Sequence, residues 1–351
     1  MSEVKTTKKE SIIEALSSAQ ELAFAPLTFQ AISSLLDFKI LEYLDKSPAT
    51  ISKVCSALNI KEYVVKTLFQ VAQSVNIIKN TNGQYSTTKK GKAFLYDDTT
   101  IANFNFVKDV CYLGASELTN SFKDEKPRGL QKFIGNYPTI YPALTLLPEK
   151  MKESWYKFDH LYSDNCFDII FKIIYAQFSK IYDIGGNTGK FERVCLKNNP
   201  NIDITMLDLP ANISFIMNDK ELTGCKFYPI DVLEQNVKYP QIENSAILMS
   251  QFLDCFSKEQ ITKILKDLYK TIDKDSKIFI LEPFIDNQIF DAARLSLVHT
   301  SLYFTCMANG ISKMYEQTEM EELLKSSGFI IEKTHNNIGS FDYTLLECKK
   351  E

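Results

Sequence analysis

The run with the clearest chemistry is Asp183-Ile184-Gly185-Gly186-Asn187-Thr188-Gly189. An apolar stretch over 180–184 carries an acid near its end, and a glycine-rich turn then opens a helix. Glycines admit positive φ and let a backbone approach a ligand closely. The helix N-terminus behind them offers free N–H groups. Such a turn alone is weak evidence, because dinucleotide-binding folds share it. Three carboxylates sharpen it. Asp208 ends the next strand, in Met206-Leu207-Asp208-Leu209-Pro210, where a carboxylate can accept both hydroxyls of a ribose. Asp231, in Pro229-Ile230-Asp231-Val232, is placed to accept from an adenine amino group. Asp183 would repel a pyrophosphate but suits a cationic amino-acid moiety. The spacing is Asp-x-Gly-Gly-x-x-Gly, not Gly-x-Gly-x-x-Gly, and the set favours S-adenosylmethionine over NAD.

These residues need a sheet to hold them. From about residue 167 the chain alternates strand and helix, with strands expected over 180–184, 203–208, 226–230, 245–249 and 277–282. Two more are expected at 330–335 and 343–348, which makes a doubly wound α/β sheet. The first part, from 11 to about 98, reads instead as short helices followed by a hairpin. Helices are expected at 29–43, at 51–58 with Thr50 or Ser52 as a cap, and at 63–73. Asn82-Gly83 between two short extended runs marks the hairpin. This is a winged-helix pattern, which raises a DNA-binding regulator with a small-molecule ligand as a rival function. The would-be recognition helix carries only Lys61, Glu62 and Lys66 beside Tyr63, Val64, Val65, Leu68 and Phe69. It is nearly neutral and strongly apolar, which favours packing or dimerisation over phosphate contact. Between the two parts, 99–165 is rich in aromatics, Trp155, Phe158 and Tyr162 among them. It reads either as a helical connector with its own core or as an apolar wall over an aromatic ligand. The expected domains are therefore 1–98, 99–165 and 166–351.

Composition bounds the rest. A chain of 351 residues is expected to form more than one domain. With 45% hydrophobic and 24% charged residues it is neither disordered nor fibrous. Forty basic against forty-four acidic residues give a net charge of −4, with no global pull toward nucleic acid or anionic lipid. No apolar run reaches the roughly 18 residues of a membrane span. Residues 1–9 are polar with no apolar segment behind them, so no secretory leader is expected. The eight cysteines form no CxxC pair and the three histidines are scattered, so no metal site is expected. Reduced thiols in a cytoplasmic protein are the simplest reading.

From about Phe24 to Cys348 the sequence resembles the two-domain S-adenosylmethionine-dependent O-methyltransferases. That group includes plant phenolic, hydroxyindole and bacterial polyketide enzymes. Its most specific match is the run from Asp183 through Gly189 to Lys190-Phe191, with Asp208-Leu209-Pro210 behind it. The resemblance implies a winged-helix dimerisation domain and a homodimer, followed by a Rossmann-like methyltransferase domain. It implies ribose binding at Asp208 and Leu209, adenine contact at Asp231 and Val232, and methionine-moiety contacts around Asp183, Gly185, Gly186 and Gly189. Ser250 and Gln251 would lie beside the cofactor.

One departure bears on catalysis. Many members carry Leu-His-Asp-Trp-Ser after the fourth strand, with the His as general base. Here the run is Phe252-Leu253-Asp254-Cys255-Phe256-Ser257, with aspartate in place of the histidine. Asp254 then either takes a proton from a substrate hydroxyl, orients the substrate, or caps the helix starting near Ser257. An ordinary aspartate, with a pKa of about 3.9, is a weak base for a phenol near 10 unless burial raises it. His299 is the other candidate, on a helix expected over 295–307 that borders the pocket in the family together with Tyr303 and Met307. The expected reaction is methyl transfer to a hydroxyl of a small aromatic. Aromatic ring C-methylation, or a scaffold that keeps the cofactor site without chemistry, are the alternatives within the same fold.

Overall fold

The computed structural model describes residues 11–351; the polar segment 1–9 lies outside the described residues. The chain divides into two compact units, one ending at Phe104 and the other spanning Asn105–Glu351. The aromatic segment after Phe104 folds with the C-terminal unit and is not a unit of its own.

The N-terminal unit contains α1 (Ile12–Asp37), α2 (Ile40–Lys46), α3 (Ile51–Leu58), α4 (Glu62–Ser74), a hairpin of β1 (Ile78–Thr81) and β2 (Gln84–Thr87), and α5 (Lys89–Tyr96). The helix expected at 29–43 is corrected here. Its first part is the end of the 26-residue α1, and Lys39, at φ +60°, breaks the chain before α2. Leu35, Ile40, Leu41, Leu44, Val65 and Phe69 pack together as the core of this unit. The first part of α1 is exposed all round, Leu16, Leu22, Phe24 and Leu27 included.

Helix α6 (Asp98–Phe106) leads into the aromatic segment, which continues through α7 (Leu118–Asp124), α8 (Arg128–Phe133) and α9 (Glu149–Ser163). Then come α10 (Phe167–Tyr175), β3 (Lys180–Ile184), α11 (Lys190–Asn198), β4 (Asp203–Asp208), α12 (Pro210–Ile216), β5 (Lys226–Pro229) and β6 (Ala246–Ser250). The chain ends with α13 (Lys258–Thr271), β7 (Lys277–Glu282), α14 (Asp291–Tyr303), α15 (Gln317–Ser326), β8 (Phe329–Ile338) and β9 (Tyr343–Lys350).

The seven strands lie in the order β5-β4-β3-β6-β7-β9-β8. The first five run parallel, and β9 is antiparallel to both of its neighbours. The central strands read as continuous apolar runs because both faces are covered. On one face Ile184, Leu207 and Met249 pack with α13, and on the other Ile181, Ile204 and Leu248 pack with α10 and α11. The chain leaves β3 toward β4 and β5 and returns to β6 on the other side. This reversal is the topological switch point, where open α/β sheets bind ligands outside the carboxyl ends of their strands. Among the described residues, no helix is long and apolar enough to cross a membrane.

Candidate cofactor and methyl-acceptor site

The carboxyl ends of β3, β4, β6 and β7 bring the candidate residues together. Asp183 precedes the last residue of β3, and the turn after it holds Gly185, Asn187 and Gly189 at φ +83°, +52° and +76°. A side chain on Gly185 would meet the Phe252 ring, so the turn tolerates no Cβ there. The Asn187 N–H, aimed by its left-handed φ, donates to Asp208 Oδ2 at 2.9 Å, and the Leu209 N–H donates to Oδ1 at 2.7 Å. Two donors leave the Asp208 carboxylate with lone pairs for a diol. Asp231 stands two residues after β5, and its Oδ1 accepts from the Leu233 N–H at 2.9 Å beside buried Val232. Ser250 ends β6, and Gln251 follows at φ +46°, accepting from the Tyr343 hydroxyl at 2.6 Å.

Whether these residues fit S-adenosylmethionine can be judged from the polar atoms left over. The buried hydroxyls of Thr188 and Ser250 have no partner among the described residues. A native fold seldom leaves such groups unmet unless a ligand meets them. With the lone pairs of Asp208 and the acid at Asp183, the set fits a nucleoside carrying a cationic amino-acid tail.

Beside this cradle, Asp254 sits in a short 3-10 turn, Leu253–Cys255, and is 7% exposed. Three side chains clamp that turn. Glu282, at the end of β7, accepts the N–H groups of Phe252 and Leu253 through Oε1 at 3.1 and 3.0 Å. Asn309 donates to the Cys255 carbonyl at 2.9 Å, and the Tyr315 hydroxyl to the Phe256 carbonyl at 2.7 Å. Asp254 and Glu282 line one narrow cleft with Pro283, Phe284, Met314, Tyr315 and Met320. Burial pushes Asp254 up to about 7, and the nearby Asp159 carboxylate adds to the effect. Burial, then the Asp254 charge, push Glu282 well above the ordinary range; its Oε2 has no partner among the described residues. The helix-cap reading of Asp254 is overturned, because Ser257 caps α13 with a full capping box to Gln260.

His299 is placed differently. It lies on the exposed side of α14, with Nδ1 2.8 Å from the Leu295 carbonyl oxygen, and it does not join the buried acids. Its helix ends at Tyr303, and a π-helical turn, Phe304–Ala308, continues to Met307. Such turns are frequent at functional sites. Trp155, Tyr303 and Met307 are buried in one cluster with Phe158 against it, and the Trp155 indole N–H donates to the Tyr303 hydroxyl at 2.6 Å. Phe158 stacks on Phe106 with ring centroids 3.9 Å apart, and Tyr162 meets Phe158 at 5.1 Å. Asp159, between them on α9, accepts from the Asn187 side chain at 3.2 Å and so links the aromatic wall to the glycine turn.

Three acids here are missing from the sequence reading: Glu282, Asp159 and Glu192, the last buried against Gly186 of the glycine turn. Glu282 ends a clear strand, as Asp208 does, and that shared position was a usable signal. Asp159 and Glu192 sit in helices, where an acid ordinarily faces solvent.

A glycine turn, a strand-end acid and a second acid beyond the next strand, set at the switch point of a seven-stranded sheet, define a Rossmann-like nucleoside-binding enzyme fold. Comparison with known proteins gives the family. Residues 150–330 match the O-methyltransferase domain, and residues 17–85 match a Dimerisation2-like domain. The chain belongs to this S-adenosylmethionine-dependent O-methyltransferase family. It is similar to bacteriochlorophyllide d C-20 methyltransferase of Chlorobaculum tepidum, at 21% identity over 95% of this chain and 96% of that one. It is 34% identical to desmethylxanthohumol 6'-O-methyltransferase of Humulus lupulus, over 42% of this chain and 40% of that one. Its fold is that of mitomycin 7-O-methyltransferase MmcR, with a TM-score of 0.71 at 15% identity over 97% and 98% of the two chains.

Proposed function

We propose that this protein transfers a methyl group from S-adenosylmethionine to a hydroxyl of a small phenolic compound, with Asp254 as the general base. The observation that carries the reading is the buried Asp254, held on a clamped turn beside the cofactor cradle. Its pKa, raised to about 7, brings an aspartate within reach of a phenol proton near neutral pH. When bound, the cofactor supplies a methyl on a sulfonium, already activated for in-line displacement. The chain has then to supply approach geometry and a deprotonated nucleophile.

Asp208 and Leu209 would hold the ribose, Asp231 and Val232 the adenine, and Asp183, Gly185, Gly186 and Gly189 the amino-acid end. Ser250 and Gln251 would close the cradle over β6. Trp155, Phe158, Tyr162, Tyr303 and Met307 would clamp the acceptor ring and exclude water. Asp254 would accept the hydroxyl proton, while Glu282 keeps its turn in place through two backbone bonds. The exposed histidine at 299 has no part in this scheme. A homodimer through the N-terminal unit completes the reading, supported by the Dimerisation2-like match and the exposed apolar side chains of α1.

Ring C-methylation is the second reading. It is favoured by the full-length likeness to an enzyme named for methylation at C-20. Asp254 would then take the ring proton after the new C–C bond forms. Incubation of a phenol panel with carbon-13 methyl-labelled S-adenosylmethionine separates the two. A labelled methoxy carbon supports oxygen as acceptor, and a labelled aryl-methyl carbon supports the second reading. No labelled product from any phenol, with the cofactor bound, overturns both.

A further inference from the structure

Beneath the glycine turn lies an acid pair that the proposed proton abstraction does not use. Glu192, the third residue of α11, is 0% exposed, and neither of its carboxyl oxygens has a donor among the described residues. Its polar neighbour, within hydrogen-bonding range, is the carboxyl of Asp183, itself 2% exposed. A Cβ on Gly186 would come within 2.7 Å of Glu192 Oε1, so this carboxyl lies directly against the turn. Two carboxylates are both acceptors, and their contact is favourable only with a proton between them.

A third acid makes the same demand. Asp208 faces the pair from β4 and adds negative charge. Cys195, farther along α11, and Cys225, before β5, are thiols held neutral by burial. Arg193, next in the chain, pairs with Asp219 and Glu221 and donates to the Thr188 carbonyl of the glycine turn. Burial pushes both acids upward, Asp183 to about 7 and Glu192 well above the ordinary carboxylate range.

We infer that Asp183 and Glu192 share a proton under the glycine turn and release it to solvent when the ammonium group of the bound ligand arrives, so that Glu192 sets how cofactor affinity depends on pH. This rests on the cofactor site proposed above. A positive charge beside the pair favours its ionised form. By linkage, a ligand that prefers the ionised form drives the proton off, and its affinity rises with pH through the titration of the pair.

The test is titration calorimetry of the full chain with S-adenosylhomocysteine, which carries the ammonium group and cannot react. Repeating it near pH 7 in buffers of different ionisation enthalpy counts the protons released. The wild type is expected to release about half a proton near pH 7, with Kd falling up to about tenfold between pH 6 and 8. Glu192→Gln leaves Asp183 alone to titrate, beside an amide donor that favours its ionised form, so release near pH 7 should fall and the slope of Kd over that range should shrink. Asp183→Asn should diminish the release as well, and covers the case of a Gln variant that does not fold. Binding with no release in the wild type, or with undiminished release in folded Glu192→Gln, overturns the inference alone. Failure of the wild type to bind S-adenosylhomocysteine overturns the cofactor assignment, and this inference with it.

Discussion

At the scale of single residues, the site works by taking acids out of water. Asp254 in solvent would be ionised and too weak a base for a phenol; in its buried turn it titrates near 7. A base must be deprotonated to act, so kcat should climb as pH rises toward about 7 and level off above it. Asp254→Asn should lower kcat by about 10²–10⁴-fold and remove that limb of the profile, while the affinity for S-adenosylhomocysteine stays within a factor of a few. An unchanged kcat in this variant would remove Asp254 from the chemistry. Asp208→Ala takes away the charged acceptor proposed for the ribose and should weaken S-adenosylhomocysteine by roughly 10–100-fold in calorimetry. The positions of Asp183, Asp208 and Asp231 were legible in the sequence because each stands at or just beyond the end of an apolar strand, beside a turn. Glu192 was not, because an acid in the first turn of a helix ordinarily points to water and complements the helix dipole. Only the close approach of Gly186 places it under the cofactor turn.

At the scale of elements, strand positions followed from the apolar runs, and their errors lie at the ends. β8 extends to Ile338 and β9 to Lys350, past the expected limits, because the two strands pair with each other beyond the reach of β7. The missed junction of α1 and α2 has another cause. The apolar spacing continues through the break, and Lys39 gives no sign of its left-handed φ. Short loops matter more to the chemistry than either helix. The turn bearing Asp254 is fixed by Glu282, Asn309 and Tyr315, so Glu282→Leu should lower kcat without loss of fold, checked by turnover beside circular dichroism. The glycine turn is equally constrained. Gly186→Ala sets a methyl 2.7 Å from Glu192 Oε1 and 2.9 Å from Met206 Cγ. It should cost about 1–3 kcal/mol in urea unfolding and sharply reduce cofactor binding.

At the scale of the whole molecule, the chain divides after Phe104, with the Dimerisation2-like match in the first unit and the O-methyltransferase match in the second. Leu16, Leu22, Phe24 and Leu27 leave a long helix with large apolar side chains in water, a costly arrangement for a lone protomer. The double substitution Leu16→Glu, Leu27→Glu should turn a dimer into a monomer in sedimentation velocity; a wild-type monomer at micromolar concentration would count against the homodimer. The chain also contains a single tryptophan, and that residue is Trp155, hydrogen-bonded to Tyr303 in the aromatic wall. Its indole is therefore a built-in optical probe. Excited selectively, it is the sole strong emitter, and everything it reports comes from the place where the acceptor ring is expected to dock. An aromatic compound that enters there must disturb the indole's hydrogen bond or quench its light. Candidate acceptors can thus be ranked by fluorescence, unlabelled and without turnover.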